Sequence, residues 1–239
     1  MHQRRISTPE PSCSECASRS SSVFSEQSPS ELHILSTGKS CRSYPKGEMI
    51  YYNGDQPAGL HCINSGKIKV CKNGPDAREQ IIRLVGPGNI MGYRSLLGSA
   101  TYSTFAVAIE DSRVCLIPRA EFTAMIAVQP DLALRLMALL SNELRMAENR
   151  MVELAQKTSR ERLAETLLLL ESKYGLEADG RTVAVRLTRT ELAGLVGTVT
   201  ESVIRLLSEL AKEGIIELDR SSIVILDRER LLEIANVGD

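Results

Sequence analysis

Two sets of side chains in this sequence have types and spacings that could do chemistry. The first is sulfur: Cys13 and Cys16 form a Cys-x-x-Cys pair, and Cys115 stands far downstream in the run SRVCLIP (112–118). Thiolates bind soft metals or exchange disulfides, and they do so most readily where solvent can reach them. The second is a polar set at helical spacing: Thr200, Glu201, Ile204, Arg205 and Ser208. Arg can bridge guanine O6 and N7, Glu can accept from cytosine N4, and an apolar side chain such as Ile204 can meet a thymine methyl. A helix that presents these together is equipped to read base edges. The plainer reading of Glu201 is a helix cap and an i, i+4 ion pair with Arg205, and both readings can hold. Arg189 and Thr190, just upstream, suit backbone phosphates. The three His, at 2, 33 and 61, have no ligand-like spacing, and no nucleophile–base pair or phosphate loop is present, so an enzyme is not expected.

The elements that must position the second set are two short helices. Thr188 with Glu191, and Thr198 with Glu201, each read Thr-x-x-Glu before an apolar run, the pattern of a capping box. The first helix buries Leu192, Leu195 and Val196 and ends at Gly197; the second buries Val203, Leu206, Leu207 and Leu210, with Val199 also turned inward, and stops at Gly214. Two helices joined by a tight Gly turn make a helix-turn-helix whose second helix can enter the major groove. Upstream lie a buried helix, RERLAETLLLLESKYG (160–175), and a predicted strand, VAVRL (183–187). Downstream, IIEL and IVIL flank a turn at 219–222 and form a hairpin wing.

Before these, Met137, Leu140, Leu144, Ala147, Met151 and Leu154 step by threes and fours along a long helix, which is the seam of a coiled coil and predicts self-association. From Ser40 to Ala120 short β-forming runs alternate with turn chemistry at PKGE, NGD, SG, NGPD and GPG, the spacing of a small antiparallel barrel or sandwich. Lys67, Ile68, Lys69 and Val70 alternate as a half-buried strand would. Residues 1–30 are rich in Ser and Pro and read as a mobile tail.

The 239 residues carry a net charge of −1 and are 43% hydrophobic, without an apolar run that would span a bilayer. The start, MHQRRISTPEPSCSEC, lacks a secretory signal, so the expected compartment is the cytoplasm, where the six cysteines would be free, metal-bound or redox-active and not a disulfide framework. From Ser159 onward 11 Lys and Arg face 15 Asp and Glu, a balance of −4. Contact with DNA must therefore rest on local Arg placement, because there is no broad basic field.

The motif order resembles the Crp/Fnr superfamily of bacterial transcription regulators. The residues that carry the resemblance are YPKGEMIYYNGDQPAGLHCINSGKIKV (44–70), SRVCLIP (112–118) before the long helix, and the helix-turn-helix after it. It implies an α+β chain: a cyclic-nucleotide-binding-type β-roll, a long dimerisation helix and a C-terminal winged helix-turn-helix that binds DNA as a homodimer. Glu201 and Arg205 match the Glu and Arg that the family uses for base contacts. The family's cyclic-nucleotide branch has a Glu where Tyr93 stands and an Arg where Tyr102 stands, so cyclic-nucleotide binding by that route is not expected, and Arg94 reads as a solvated loop residue. Its oxygen-sensing branch holds an iron-sulfur cluster through tail cysteines and a strand cysteine, which Cys13, Cys16 and Cys115 match. A further tail ligand is missing, because Ser22 and Ser25 stand where it would be; Cys41 could be the fourth only if the chain folds differently, and Cys62 and Cys71 read as small strand residues.

The expected organisation is thus a tail (1–30), a sensor domain (31–126), a dimerisation helix (127–157) and a DNA-binding domain (158–239). The partners expected are duplex DNA, a second copy and RNA polymerase, and no membrane. The rival reading is a redox or metal sensor whose acidic C-terminal domain docks a protein in place of DNA.

Overall fold

The computed structural model describes residues 11–74, 76, 78–98, 100–220 and 222–236. They divide into two compact units, one of residues 1–72 with 82–141 and one of residues 73–81 with 142–239. Among the described residues no single helix is long and apolar enough to cross a membrane.

The first unit begins with helix α1 (Pro29–Gly38), capped by Ser28 and Glu31 in a reciprocal box with Pro29 in the first turn. Eight strands follow: β1 (Ser40–Tyr44), β2 (Met49–Tyr51), β3 (Gly59–Ser65), β4 (Ile68–Asn73), β5 (Glu79–Val85), β6 (Ile90–Met91), β7 (Phe105–Ala108) and β8 (Ser112–Pro118). Helix α2 (Tyr93–Leu97) interrupts them, and α3 (Arg119–Val128) and α4 (Pro130–Gln156) come after. The strands form two four-stranded sheets, ordered β1-β8-β3-β6 and β2-β7-β4-β5. Gly66 shows why the β3–β4 turn needs glycine: its φ is +87°, and a Cβ there would meet the Ser112 hydroxyl at 2.2 Å.

One core contains Tyr51, Ile63, Ile68, Val70, Ala106 and Val114, drawn from both sheets. The other face of the β1-β8-β3-β6 sheet is also covered. There Leu60, Ile90 and Ile117 pack with Leu32 and Leu35 of α1, Phe122 and Met125 of α3, and Leu132 and Leu136 at the start of α4. Because successive strand residues face opposite sides, Cys62 and Cys115 share the face of Leu60 and Ile117, while Ile63 and Val114 turn inward. Strand β4, in the other sheet, departs from the expected alternation: Ile68, Lys69, Val70 and Cys71 are all buried.

Residues 11–30, expected as a mobile tail, are packed in this structure. Phe24 is buried in the helix-side core, the Ser18 hydroxyl donates to the Asn64 carbonyl at 2.8 Å, and Arg135 Nε donates to the Val23 carbonyl at 3.0 Å. Serine-rich composition suggested solvent, but here the Ser21 and Ser22 hydroxyls donate to carbonyls of the segment itself, while Ser18 ties it to the sheet. Residues 1–10 of that stretch lie outside the described residues.

The second unit contains α5 (Ser159–Tyr174), α6 (Arg189–Val196), α7 (Thr200–Lys212), β9 (Ile216–Asp219), β10 (Ser222–Ile225) and α8 (Arg228–Ala235). Helix α5 opens on a capping box of Thr158 and Glu161. Strands β9 and β10 pair antiparallel with Asp219 opposite Ser222, the expected wing. The predicted strand at 183–187 does not form. Only isolated bridges, Leu176–Val183 and Thr182–Val224, are made there, because no neighbouring strand runs alongside long enough to build a ladder.

Candidate nucleic-acid interface and sensor cavities

Helix α6 starts as its sequence predicts. The Thr188 side chain accepts from the Glu191 amide at 3.1 Å, and the Glu191 carboxylate accepts from the Thr188 amide at 2.8 Å. The second expected capping box does not form: α7 begins at Thr200, its cap residue is Val199, and no side chain caps it. Thr198 is already used, since its amide donates to the Ala193 carbonyl at 3.2 Å and closes the end of α6. Val199, expected inside, is exposed for the same reason, as the half-in residue of a tight turn. Gly197 makes that turn with φ 75° and ψ 47°; a Cβ at this position would lie 2.7 Å from Leu154 Cδ2.

The inward face of α7 is as the period predicts: Val203, Leu206, Leu207 and Leu210 are buried, each worth about 1.5–3 kcal/mol of apolar transfer. The outward face carries Glu201, Ile204, Arg205 and Ser208 exposed, with Thr200 half-buried. The expected Glu201–Arg205 pair is replaced by another. Arg205 Nη1 lies 2.7 Å from Glu209 Oε1, one turn further along, and Glu209 also stands 3.7 Å from Arg160. The Ser208 hydroxyl donates to the Ile204 carbonyl at 2.9 Å. Arg189 is not free either: its Nη2 donates at 3.2 Å to the Arg220 carbonyl in the wing turn, so it ties α6 to the wing, while Thr190 stays exposed.

A residue that sequence reasoning missed holds this motif together. Arg162 of α5 is buried, and its Nε donates to the Val196 carbonyl at 3.0 Å, Nη2 to the Gly197 carbonyl at 3.3 Å and Nη1 to the Lys157 carbonyl at 2.5 Å. The last carbonyls of a helix have no partner within it, and this guanidinium supplies one. Its burial lowers its pKa, and the nearby Arg150 cation adds to the same effect. The only sequence signal is an Arg inside an otherwise apolar helix face. Substituting Arg162→Met should destabilise the protein by about 2–3 kcal/mol, because charged hydrogen bonds are lost and buried carbonyls are left unpaired. Urea unfolding of the two proteins measures this, and equal midpoints would rule the brace out.

The predicted seam residues lie along α4, where Met146 and Val152 are exposed as well. Met137, Leu144, Met151 and Leu154 are exposed apolar side chains, from 44% to 70% accessible, with Ala147 exposed and Leu140 half-buried between them.

Among the described residues of the first unit, two cavities bear on sensing. A small polar one is lined by Tyr51, Arg83, Tyr93, Arg94, Tyr102 and Thr104, among others. Tyr93 and Tyr102 are buried side chains that fill it, Tyr102 stacked on Tyr51 with ring centroids 4.1 Å apart. Burial raises the Tyr102 pKa, and its hydroxyl has no hydrogen-bond partner among the described residues. Arg83 is engaged with the Tyr93 hydroxyl at 2.9 Å, while Arg94 is exposed at the rim.

The larger cavity, about 580 Å³ of empty space including its mouth, is apolar and brings together sulfurs that sequence separates widely: Cys13, Cys16, Cys62 and Cys115 all line it. Cys115 is not free, contrary to expectation. It is disulfide-bonded to Cys41, because the β1–β8 register sets these two directly opposite each other. Cys13, Cys16 and Cys62 are free thiols. Burial pushes the Cys62 thiol up, and the nearby Cys13 and Cys16 push it further. Cys71, by contrast, is buried and takes no part in the disulfide or in the lining of this cavity. Among the described residues no three His, Cys, Asp or Glu side chains stand ready to hold an ion.

Both halves of this architecture match known families. The cyclic nucleotide-binding domain model matches residues 41–129 and the Crp-like helix-turn-helix domain model matches residues 161–234. The cyclic AMP receptor protein of Thermus thermophilus is 34% identical over 217 residues, 91% of this chain and 98% of its own length. The chain belongs to the Crp/Fnr family of transcription regulators. This Crp/Fnr regulator is also 29% identical to the transcriptional activator protein FnrL of Cereibacter sphaeroides, over 93% of this chain and 91% of that protein. The structure of FixK2 from Bradyrhizobium japonicum superposes with a TM-score of 0.72 at 28% identity, covering 84% of this chain and 99% of the other. Its helix-turn-helix is thus that of a DNA-binding regulator and not of an enzyme.

Proposed function

We propose that the protein binds an inverted-repeat operator as a homodimer in the cytoplasm, and that an effector acting on residues 31–126 controls it. In this reading residues 127–157 pair two copies and residues 158–239 bind DNA, with RNA polymerase as the further partner. The observation that carries the reading is α7: four apolar side chains anchor one face, and Glu201, Ile204, Arg205 and Ser208 are left exposed on the other. Arg205 and Glu201 serve as base readers, Ile204 as the apolar contact, and Thr200, Ser208 and Thr190 as polar contacts to DNA. Arg189 adds to the backbone contacts by holding the wing turn beside α6.

The exposed α4 stripe supports the dimer, since solvent-facing Met and Leu at heptad spacing are what a second copy covers. For the effector, the polar cavity offers Arg, Tyr, Ser and Thr side chains without a carboxylate, which argues against a cyclic nucleotide held in the familiar way. The sulfur cavity supports the alternative input, a thiol or iron-sulfur signal through Cys13, Cys16 and Cys115.

Selection of bound sequences from random duplex DNA, with and without air, tests the whole reading. Recovered sequences should be inverted repeats with half-sites about one helical turn apart. Recovery of single, unrepeated half-sites, or of no duplex at all, would favour docking to a protein instead.

A further inference from the structure

The larger cavity of the first unit combines hydrocarbon walls with uncompensated positive charge. Ile90 and Ile117 of the β1-β8-β3-β6 sheet, Leu32 and Leu35 of α1, and Phe24 of the N-terminal segment all line it. Cys13, Cys16, Cys62 and Cys115 add polarizable but uncharged surface there, since Cys115 is spent in the disulfide with Cys41 and burial keeps Cys62 protonated. Walls of this kind favour an apolar body over water.

The charge comes from Lys39 and Arg19, both half-buried on the wall, and among the described residues no Asp or Glu lines the cavity. Lys39 Nζ donates to the Pro11 carbonyl at 2.7 Å, and Arg19 Nη1 donates to the Ser25 carbonyl at 3.3 Å. These acceptors are neutral, and neither cation has a carboxylate partner among the described residues. A part-buried cation without a counter-ion is unfavourable, and an anionic group brought in by a ligand relieves it. The cavity is also joined to α4. Phe24, Leu32 and Leu35 pack in one core with Leu132 and Leu136, and Arg135 holds the N-terminal segment through the Val23 carbonyl at 3.0 Å and the Glu26 carboxylate.

We propose that this cavity binds a small amphipathic monocarboxylate, of the class of a medium-chain fatty acid, with its hydrocarbon among the Leu, Ile and Phe side chains and its carboxylate on Lys39 and Arg19. Burial holds the chain and charge fixes the end, so the acid is preferred to an uncharged molecule of the same length. The empty space of about 580 Å³ falls within the range of about 300–1,000 Å³ usual for small-molecule sites. Because that figure includes the mouth, a compact chain suits the cavity better than a long acyl chain. That occupancy sets DNA affinity rests on the effector reading above: a ligand filling the cavity presses on the side chains against which α4 starts.

The test uses the full chain in its disulfide-bonded form, without reductant, and octanoate as the probe. Calorimetric titration should show one octanoate bound per chain. Each buried methylene contributes about a fourfold factor in affinity, so butyrate should bind about a hundredfold or more less tightly. Octanol, with the same chain and no charge, should bind at least tenfold less tightly than octanoate. Lys39→Met should remove the preference for the acid while leaving octanol binding as in the parent. Alkylation mapped by mass spectrometry locates the probe: octanoate should slow modification of Cys13 and Cys16 at least tenfold and leave Cys71, in the other sheet, unchanged. Cys62→Phe, which fills the cavity from β3, should abolish octanoate binding, and the protection pattern of the parent decides the site even where this variant fails to fold.

Faster alkylation of Cys71 on adding octanoate would reveal detergent-like loosening of the fold and overturn the site. Octanoate binding that survives Lys39→Met and Arg19→Met but is lost in Arg83→Met would place the ligand in the polar cavity and overturn it equally. The absence of both binding heat and cysteine protection would do the same. Operator titrations with and without octanoate test the signal separately. Unchanged operator affinity in a chain that binds octanoate would overturn the effector role and leave the site standing.

Discussion

A chain carrying Leu144→Glu and Met151→Glu together should sediment as a monomer and lose operator affinity by about a hundredfold or more. Both side chains are exposed, at 61% and 70%, so replacing them removes little from the core of one chain, and the helix content of the variant should match the parent. In a paired seam the same positions are desolvated, and an unpaired carboxylate buried there costs several kcal/mol. Two linked half-site contacts exceed one by about 10²–10⁴, which is what the monomer would forfeit. Sedimentation and operator binding measured on the same preparations check this. A dimeric double variant would place the pairing surface elsewhere.

The second large effect is expected for Arg205→Ala, which should weaken cognate binding by about 1–3 kcal/mol per half-site and relax preference at one base pair in each. In the free protein Arg205 pairs with Glu209 at 2.7 Å, but it is largely solvent-exposed, and an exposed pair of this kind holds only about 0.2–1 kcal/mol. The guanidinium can therefore leave Glu209 at small cost when a guanine edge is presented. Unfolding stability should be nearly unchanged. Titrations on cognate and randomised duplexes at one salt concentration separate the roles, since equal weakening on both would assign Arg205 to phosphate.

Much of the reading helix was legible because its information is local. The spacing of Val203, Leu206, Leu207 and Leu210 fixes the buried face of α7, and Thr188 with Glu191 fixes the start of α6. The motif at Thr198 and Glu201 has the same letters, yet it does not cap, because the Thr198 amide is claimed by the preceding helix. A four-residue pattern cannot show that competition. Arg162 was missed because its acceptors, Val196 and Gly197, lie 34 and 35 residues downstream. The cysteine neighbours of Cys115 were missed for a related reason. That Cys41 and Cys62 flank Cys115 follows from strand order and register, which alternation along one strand does not determine. Cys13 and Cys16 drew notice as a spaced pair, but that they are packed over the sheet depends on the Phe24 anchor and on hydrogen bonds to Ser36 and Asn64.

The guanidinium of Arg162, clamped on the carbonyls of Val196 and Gly197, bears on how such a regulator can change over evolutionary time. With the turn before α7 locked from behind, recognition cannot drift through small adjustments of helix pose. With the DNA contacts proposed above, new target sequences arise by replacing side chains at 200, 201, 204, 205 and 208, while 162 and 197 answer to folding. The motif separates a braced chassis from a short editable alphabet, so in that reading operators of descendants should diverge in discrete single-base steps and not by gradual loss of discrimination.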